Sequence, residues 1–317
     1  MDLKDRYSQS RLPHALLITG QAGLGKFWLA ETLAKALLCE TQNACGECKG
    51  CQLLSAGSHP DYRVITLEED SQQIKIEQIR SVINWVNQTS QMNGAKVSII
   101  SPAHKMNRNS ANALLKVMEE PPAGTHLILV SDDPALLLPT IRSRAQQILV
   151  SVPSPDVSLA WLESEGELGQ DWPTLLSVSG GSPLLALEQA ANDSLKTRQI
   201  YASLWSDLWN KRKDIVELAA SAQKLELTEV LLMALALLSD VARFQATGNK
   251  NSLNNKDVEK SILELSSRLS KQQVLFYLSR IEKSYRLAKG TQNPNATLLL
   301  ESLMTDCLKA PEGAFSV

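Results

Sequence analysis

The stretch Ala15-Leu16-Leu17-Ile18-Thr19, followed by Gly20-Gln21-Ala22-Gly23-Leu24-Gly25-Lys26-Phe27-Trp28, constrains the fold more than any other part of the chain. An apolar run, a glycine-rich turn and a helical pattern in that order predict a strand feeding a helix whose N-terminus faces the turn. Such a strand needs parallel neighbours. Four further apolar runs supply them: residues 63–67, 96–100, 126–130 and 146–150. Between the runs, Leu29, Ala30, Leu33, Ala34 and Leu37 share one helical face. Ile76, Ile79, Ile83 and Val86 share a second, and Ala111, Leu114, Leu115 and Met118 a third. This alternation predicts a three-layer α/β domain around a mostly parallel sheet. The third helix must stop before Pro121-Pro122, because the first proline disfavours helical geometry at Glu120.

Beyond about residue 150 the strand-like runs give way to helical ones. The segment Val152 to Asp156 reads as a hinge, and a small helical module runs from there to about Ser194, punctuated by Gly180-Gly181-Ser182-Pro183. The remainder, from Leu195, reads as a helical bundle. Leu227 to Phe244 is apolar around much of its circumference, which suits a central helix, and Gly248 to Lys256 reads as a long interhelical loop.

The glycine-rich turn nearly completes a phosphate-cradling loop. Gly20, Gly23, Gly25 and Lys26 fit, but Phe27 stands where a hydroxyl would ligate magnesium. The second magnesium anchor should be an acid after a later strand, and Lys96 to Ile100 is followed by Ser101-Pro102-Ala103-His104. Glu68, Glu69 and Asp70 follow another strand and read as an acidic surface turn. The hydrolytic machinery is therefore expected to be absent. Two readings of the loop stay open: a site that holds nucleotide without magnesium, through backbone amides and Lys26, or a plain strand-to-helix turn.

Four of the five cysteines crowd between Cys39 and Cys51. Cys45, Cys48 and Cys51 repeat at a three-residue step, and with Cys39 they match a closed tetrahedral zinc site of structural character. The alternative places Cys39 at a buried helix end and lets His59 complete the site, but Pro60 restricts that histidine's approach. Cys307 reads as a small core residue.

Basic and acidic residues nearly balance, 32 against 34, for a formal net charge of -2, which provides no electrostatic footprint for independent binding to nucleic acid. The charged start, Met1 to Arg11, and the shortness of the most apolar run, Val230 to Leu238, lead to the expectation of a soluble, cytoplasmic protein with no membrane partner.

The near-P-loop, the cysteine cluster, His59-Pro60-Asp61, the run Asn112-Ala-Leu-Leu-Lys-Val-Met-Glu119-Glu120-Pro121-Pro122 and Ser143-Arg144-Ala145 together resemble the delta-prime family of bacterial DNA polymerase III clamp-loader subunits. The resemblance implies an AAA+ (RecA-like) α/β domain over residues 1–150 with a zinc module inserted at 39–51. A small helical lid at 151–194 and an all-α collar at 195–317 would follow. It also implies a non-hydrolysing stator that helps load a sliding clamp onto primed DNA beside gamma/tau motor subunits and a delta subunit. Leu184, where active relatives carry a nucleotide-sensing arginine, agrees with that role. Arg144 matches the arginine of the family's Ser-Arg-Cys motif, which reaches into a neighbour's ATP site, although Ala145 replaces the cysteine. Its ordinary alternative is a surface ion pair at a helix end. Two other classes compete: an autonomous P-loop ATPase or nucleotide kinase, and a zinc-dependent nucleic-acid-binding module.

Overall fold

The computed structural model describes residues 12–309 apart from 70, 93, 193, 223, 224 and 290–294. Met1 to Arg11, Asp70 and the last residues of the expected collar therefore lie outside the described residues. The chain divides into two compact units, Met1–Pro153 and Ser154–Val317.

The first unit is built on five parallel strands: β1 (Ala15–Thr19), β2 (Tyr62–Ile65), β3 (Lys96–Ile100), β4 (Thr125–Ser131) and β5 (Gln146–Leu149). Their order is β2-β3-β4-β1-β5, so the strand that feeds the glycine-rich turn lies between β4 and β5. Both β1 and β3 are buried along their whole length, as strands of a parallel sheet covered on both faces should be. β2 ends at Ile65, two residues before the apolar run does.

The helices of this unit are α1 (Lys26–Leu38), α2 (Lys49–Ser55), α3 (Ile76–Val86), α4 (Arg108–Glu119) and α5 (Pro139–Arg144). One core lies on each face of the sheet. Leu16 and Ile18 of β1 meet Ala30, Ala34 and Leu38 of α1, whereas Leu17 meets Ile79 of α3 and Leu114 of α4. The buried stripe of α1 is Lys26, Ala30, Ala34 and Leu38, and Leu29 faces outward, one position off the expected face. On α3 the buried positions are Ile79, Val82, Trp85 and Val86, with Ile76 only partly covered. α4 ends at Glu119, and Glu120 has left helical geometry, as a following proline demands.

The described part of the second unit is helical: α6 (Pro155–Glu165), α7 (Trp172–Val178), α8 (Pro183–Ala191), α9 (Ser194–Trp209), α10 (Ile215–Ala222), α11 (Leu227–Thr247), α12 (Glu259–Arg268), α13 (Lys271–Lys289) and α14 (Ala296–Lys309). α6 to α8 close around Leu162, Trp172, Leu175 and Ala186. A larger core belongs to α9 through α14, with the Trp205, Trp209 and Tyr277 rings stacked and α11 packed on α9, α12 and α13. The stretch from Gly248 to Lys256 contains a short 3-10 turn at Lys250–Ser252 and leads into a second at Lys256–Val258, rather than forming a bare loop. It is held by the buried carboxylate of Asp240, which accepts from the backbone N–H groups of Asn254 (3.0 Å) and Asn255 (2.7 Å).

Candidate functional site

Parallel pairing sets Thr19 opposite Ser131, so Gly20 and Asp132 leave the sheet side by side. Gly20 has φ of 145°, and a Cβ there would lie 2.4 Å from the carbonyl oxygen of Val150, so no other residue fits the turn. Gly25, at φ 72°, turns the chain into α1. The loop thus takes the strand-turn-helix form expected of it.

The side chain of Lys26 is 3% exposed and is folded back into its own unit. Its Nζ donates to the carbonyl of Gln21 at 2.5 Å and lies 2.7 Å from a carboxylate oxygen of Asp132. Phe27, in the hydroxyl position, packs against the core formed by Leu16, Ile18 and α1. After β3, Ser101 and Pro102 bring no carboxylate, and the Nδ1 of His104 lies 3.3 Å from the Ser131 hydroxyl. Glu68 pairs with Lys75 at 2.7 Å on the surface, as an acidic turn would.

Asp132 is the residue that sequence reasoning missed. An acid is expected after the apolar run of β3, whereas the strand that pairs with β1 on that side is β4, whose apolar run is followed by Ser131-Asp132-Asp133.

The four cysteines converge: their sulfurs all lie within 4.8 Å of one another. A tetrahedron of thiolates about 2.3 Å from zinc has edges of about 3.8 Å. The sulfur of Cys39 is 3.6 Å from that of Cys45 and 3.9 Å from that of Cys48. These separations suit a metal cage and are far too long for disulfides. Backbone N–H groups of Cys45, Cys48 and Cys51 each point at the preceding cysteine sulfur, at 3.4 Å. Burial opposes ionisation of Cys39, but the Thr41 hydroxyl and the N–H groups of Cys45, Asn43 and Thr41 outweigh it and bring its pKa from 9.0 to about 5. The Cys48 and Glu47 N–H groups lower that of Cys45. Burial, reinforced by the three neighbouring thiols, pushes Cys51 up to about 12. Crowded sulfurs of this kind need a divalent cation before all four can ionise, so the donor set fits zinc.

His59 is not part of this sulfur cluster. It is buried, its Nδ1 accepts from the backbone N–H of Asp61 at 3.1 Å, and burial holds its pKa below 6.5 against the pull of Asp61. Asp61 is fully buried and accepts from the Ser90 hydroxyl and the N–H groups of Gln91 and Met92, all at 2.9 Å through one oxygen.

Arg144 is the last residue of α5 and is exposed, whereas Ala145 is buried. Its Nη2 lies 2.6 Å from a carboxylate oxygen of Glu119, and its Nη1 donates to the Thr140 carbonyl at 3.3 Å. Glu119 closes α4. Two separate words of the sequence, Glu119-Glu120-Pro121-Pro122 and Ser143-Arg144-Ala145, thus meet in one ion pair. Among the described contacts Arg144 touches none of the loop residues 20–26.

Residues 1–153 match the family model described as "DNA polymerase III, delta subunit", and residues 193–309 match its C-terminal counterpart. A DNA polymerase III subunit delta' from Pseudomonas aeruginosa is 36% identical over 324 residues, covering 94% of this chain and 92% of that protein. The chain belongs to the DNA polymerase III delta' family. Another delta' subunit, from Haemophilus influenzae, is 35% identical over 72% of this chain and 70% of its own. The delta' subunit of Bacillus subtilis is 29% identical over 95% and 93%. A solved DNA polymerase III gamma-subunit-related protein from Thermotoga maritima covers 97% of this chain and 98% of its own at 19% identity, with a TM-score of 0.46, too loose a superposition to define the domain arrangement. No helix among the described residues is long and apolar enough to cross a membrane.

Proposed function

We propose that this delta' chain serves the DNA polymerase III clamp loader as a stator, hydrolysing no nucleotide itself and presenting Arg144 to the ATP site of an adjacent motor subunit. The observation that carries the reading is the state of the loop: Lys26 is engaged by Asp132 and Gln21, and the hydroxyl position is given over to the packing of Phe27. A loop lysine reaches the outer phosphates only if its ammonium is available, and magnesium needs oxygen ligands that Phe27 and Pro102 do not have. Arg144 suits the complementary role because a planar guanidinium at an exposed helix end can stabilise charge on a phosphoryl group held by another chain.

On this reading residues 151–194 form the lid and 195–317 the collar that holds the chain among gamma/tau motor subunits and a delta subunit. Contact with the sliding clamp and primed DNA comes mainly through the complex, in the cytoplasm. Cys39, Cys45, Cys48 and Cys51 hold a structural zinc ion, since four protein ligands leave no position for substrate. The test is reconstitution of the loader with Arg144→Ala. Assembly should persist, while DNA-stimulated ATP hydrolysis falls by at least about tenfold. An unchanged rate would remove the finger assignment.

The rival reading, an autonomous P-loop ATPase, gains one candidate from the structure, because Asp132 is an acid beside the loop. Magnesium would have to take that carboxylate from Lys26. Turnover by the isolated chain that is abolished by both Lys26→Ala and Asp132→Asn would favour this alternative.

A further inference from the structure

Glu119 and Arg144 project from the ends of two helices that meet. Both ends are anchored by the core. Val117 and Met118 are buried just before Glu119, and Ile141 and Ala145 are buried on either side of Arg144. Pro121 ends α4 after Glu119, and Pro139 opens α5 five residues before Arg144. The backbones that carry the two charges are therefore fixed, and the long arginine side chain is the remaining source of disorder. Ordering such a side chain is entropically unfavourable unless it is already held.

We propose that Glu119 is a positioning residue for Arg144, holding its guanidinium in the orientation that a neighbouring subunit's phosphate meets. This inference rests on the finger reading above. Among the described residues two of the five guanidinium donors are engaged, one by Glu119 and one by Thr140, so the rest of the fork is open to an anion. The side chains are 37% and 48% exposed, so solvent screens the attraction. The carboxylate thus engages one edge of the guanidinium and leaves the remaining donors for a phosphate. Orientation of a catalytic group acts on the chemical step more than on ATP binding, and kcat is where the effect belongs.

The test uses the complete loader with motor subunits, clamp and primed DNA, carrying Glu119→Ala, Glu119→Gln, Arg144→Ala or each Glu119 change combined with Arg144→Ala. Glu119→Ala should lower kcat for DNA-stimulated ATP hydrolysis by about three- to tenfold, leaving the KM for ATP within about twofold. Glu119→Gln, isosteric and still able to accept a hydrogen bond, should lose only about two- to threefold, and it decides the matter if the alanine variant assembles poorly. Neither change should lower the rate further once Arg144 is alanine. An unchanged kcat in both Glu119 variants, or the same fractional loss with Arg144 already removed, overturns the positioning role and leaves the finger standing. A full rate in Arg144→Ala alone overturns the finger and this inference with it.

Discussion

Lys26 and Asp132 form an ion pair at 2.7 Å across the mouth of the glycine-rich loop, one side chain sealed from solvent and the other half exposed. The carboxylate stands where an anionic ligand would otherwise offset the ammonium. Removing Asp132 leaves a buried cation with the Gln21 carbonyl as its remaining described partner, which is costly, whereas removing both charges is not. Asp132→Ala should destabilise the folded chain by about 1–3 kcal/mol, and Lys26→Met in the same chain should recover part of that loss. Chemical denaturation of Asp132→Ala, Lys26→Met and the double variant checks it, and strictly additive effects would show that the pair is not coupled.

Phe27 belongs to the core that α1 makes with the sheet. Phe27→Ser restores the missing hydroxyl but opens that packing. The variant should lose about 1–3 kcal/mol of stability and gain no magnesium-dependent ATP hydrolysis, because Pro102 still supplies no carboxylate. Turnover in this single variant would mean that Asp132 or another acid serves magnesium.

The four-thiol cluster predicts one zinc ion per chain, measurable by elemental analysis of the purified protein. Cys48→Ser should lose the ion and render residues 39–58 sensitive to proteolysis, since the metal contributes the folding energy of so short a module. His59→Gln should retain it. Loss of zinc in His59→Gln with retention in Cys39→Ser would instead make histidine the fourth ligand.

Burial holds both His59 and His126 below their ordinary pKa of 6.5, with the Pro13 hydrogen bond and Asp61 opposing at His126 and His59 respectively. The unfolded chain therefore binds more protons than the folded one once the pH falls below about 6.5. Stability should be constant with respect to these groups above that pH and should decline below it. Melting temperatures between pH 5 and 7 check the sign, and His126→Gln should flatten the dependence.

Much of this was legible from residue patterns because its causes are local. β1, the glycine turn and α1 follow from an apolar run and from backbone conformations that glycine tolerates. The end of α4 follows from Pro121, and the convergence of the four sulfurs follows from the close spacing of their cysteines. What was missed depends on contacts distant in sequence. Asp132 becomes important only because β4 pairs with β1, and nothing in a single run of residues states that pairing. The partnership of Glu119 with Arg144 spans 25 positions and depends on two helix ends meeting. Leu29 faces outward because α1 buries a narrow stripe spaced by four residues, led by Lys26 itself.

The most direct measurement is steady-state ATP hydrolysis by the purified chain alone, with magnesium, beside its Lys26→Ala variant. The account predicts no turnover above background in either. Sustained magnesium-dependent turnover in the parent, lost in Lys26→Ala, would contradict it.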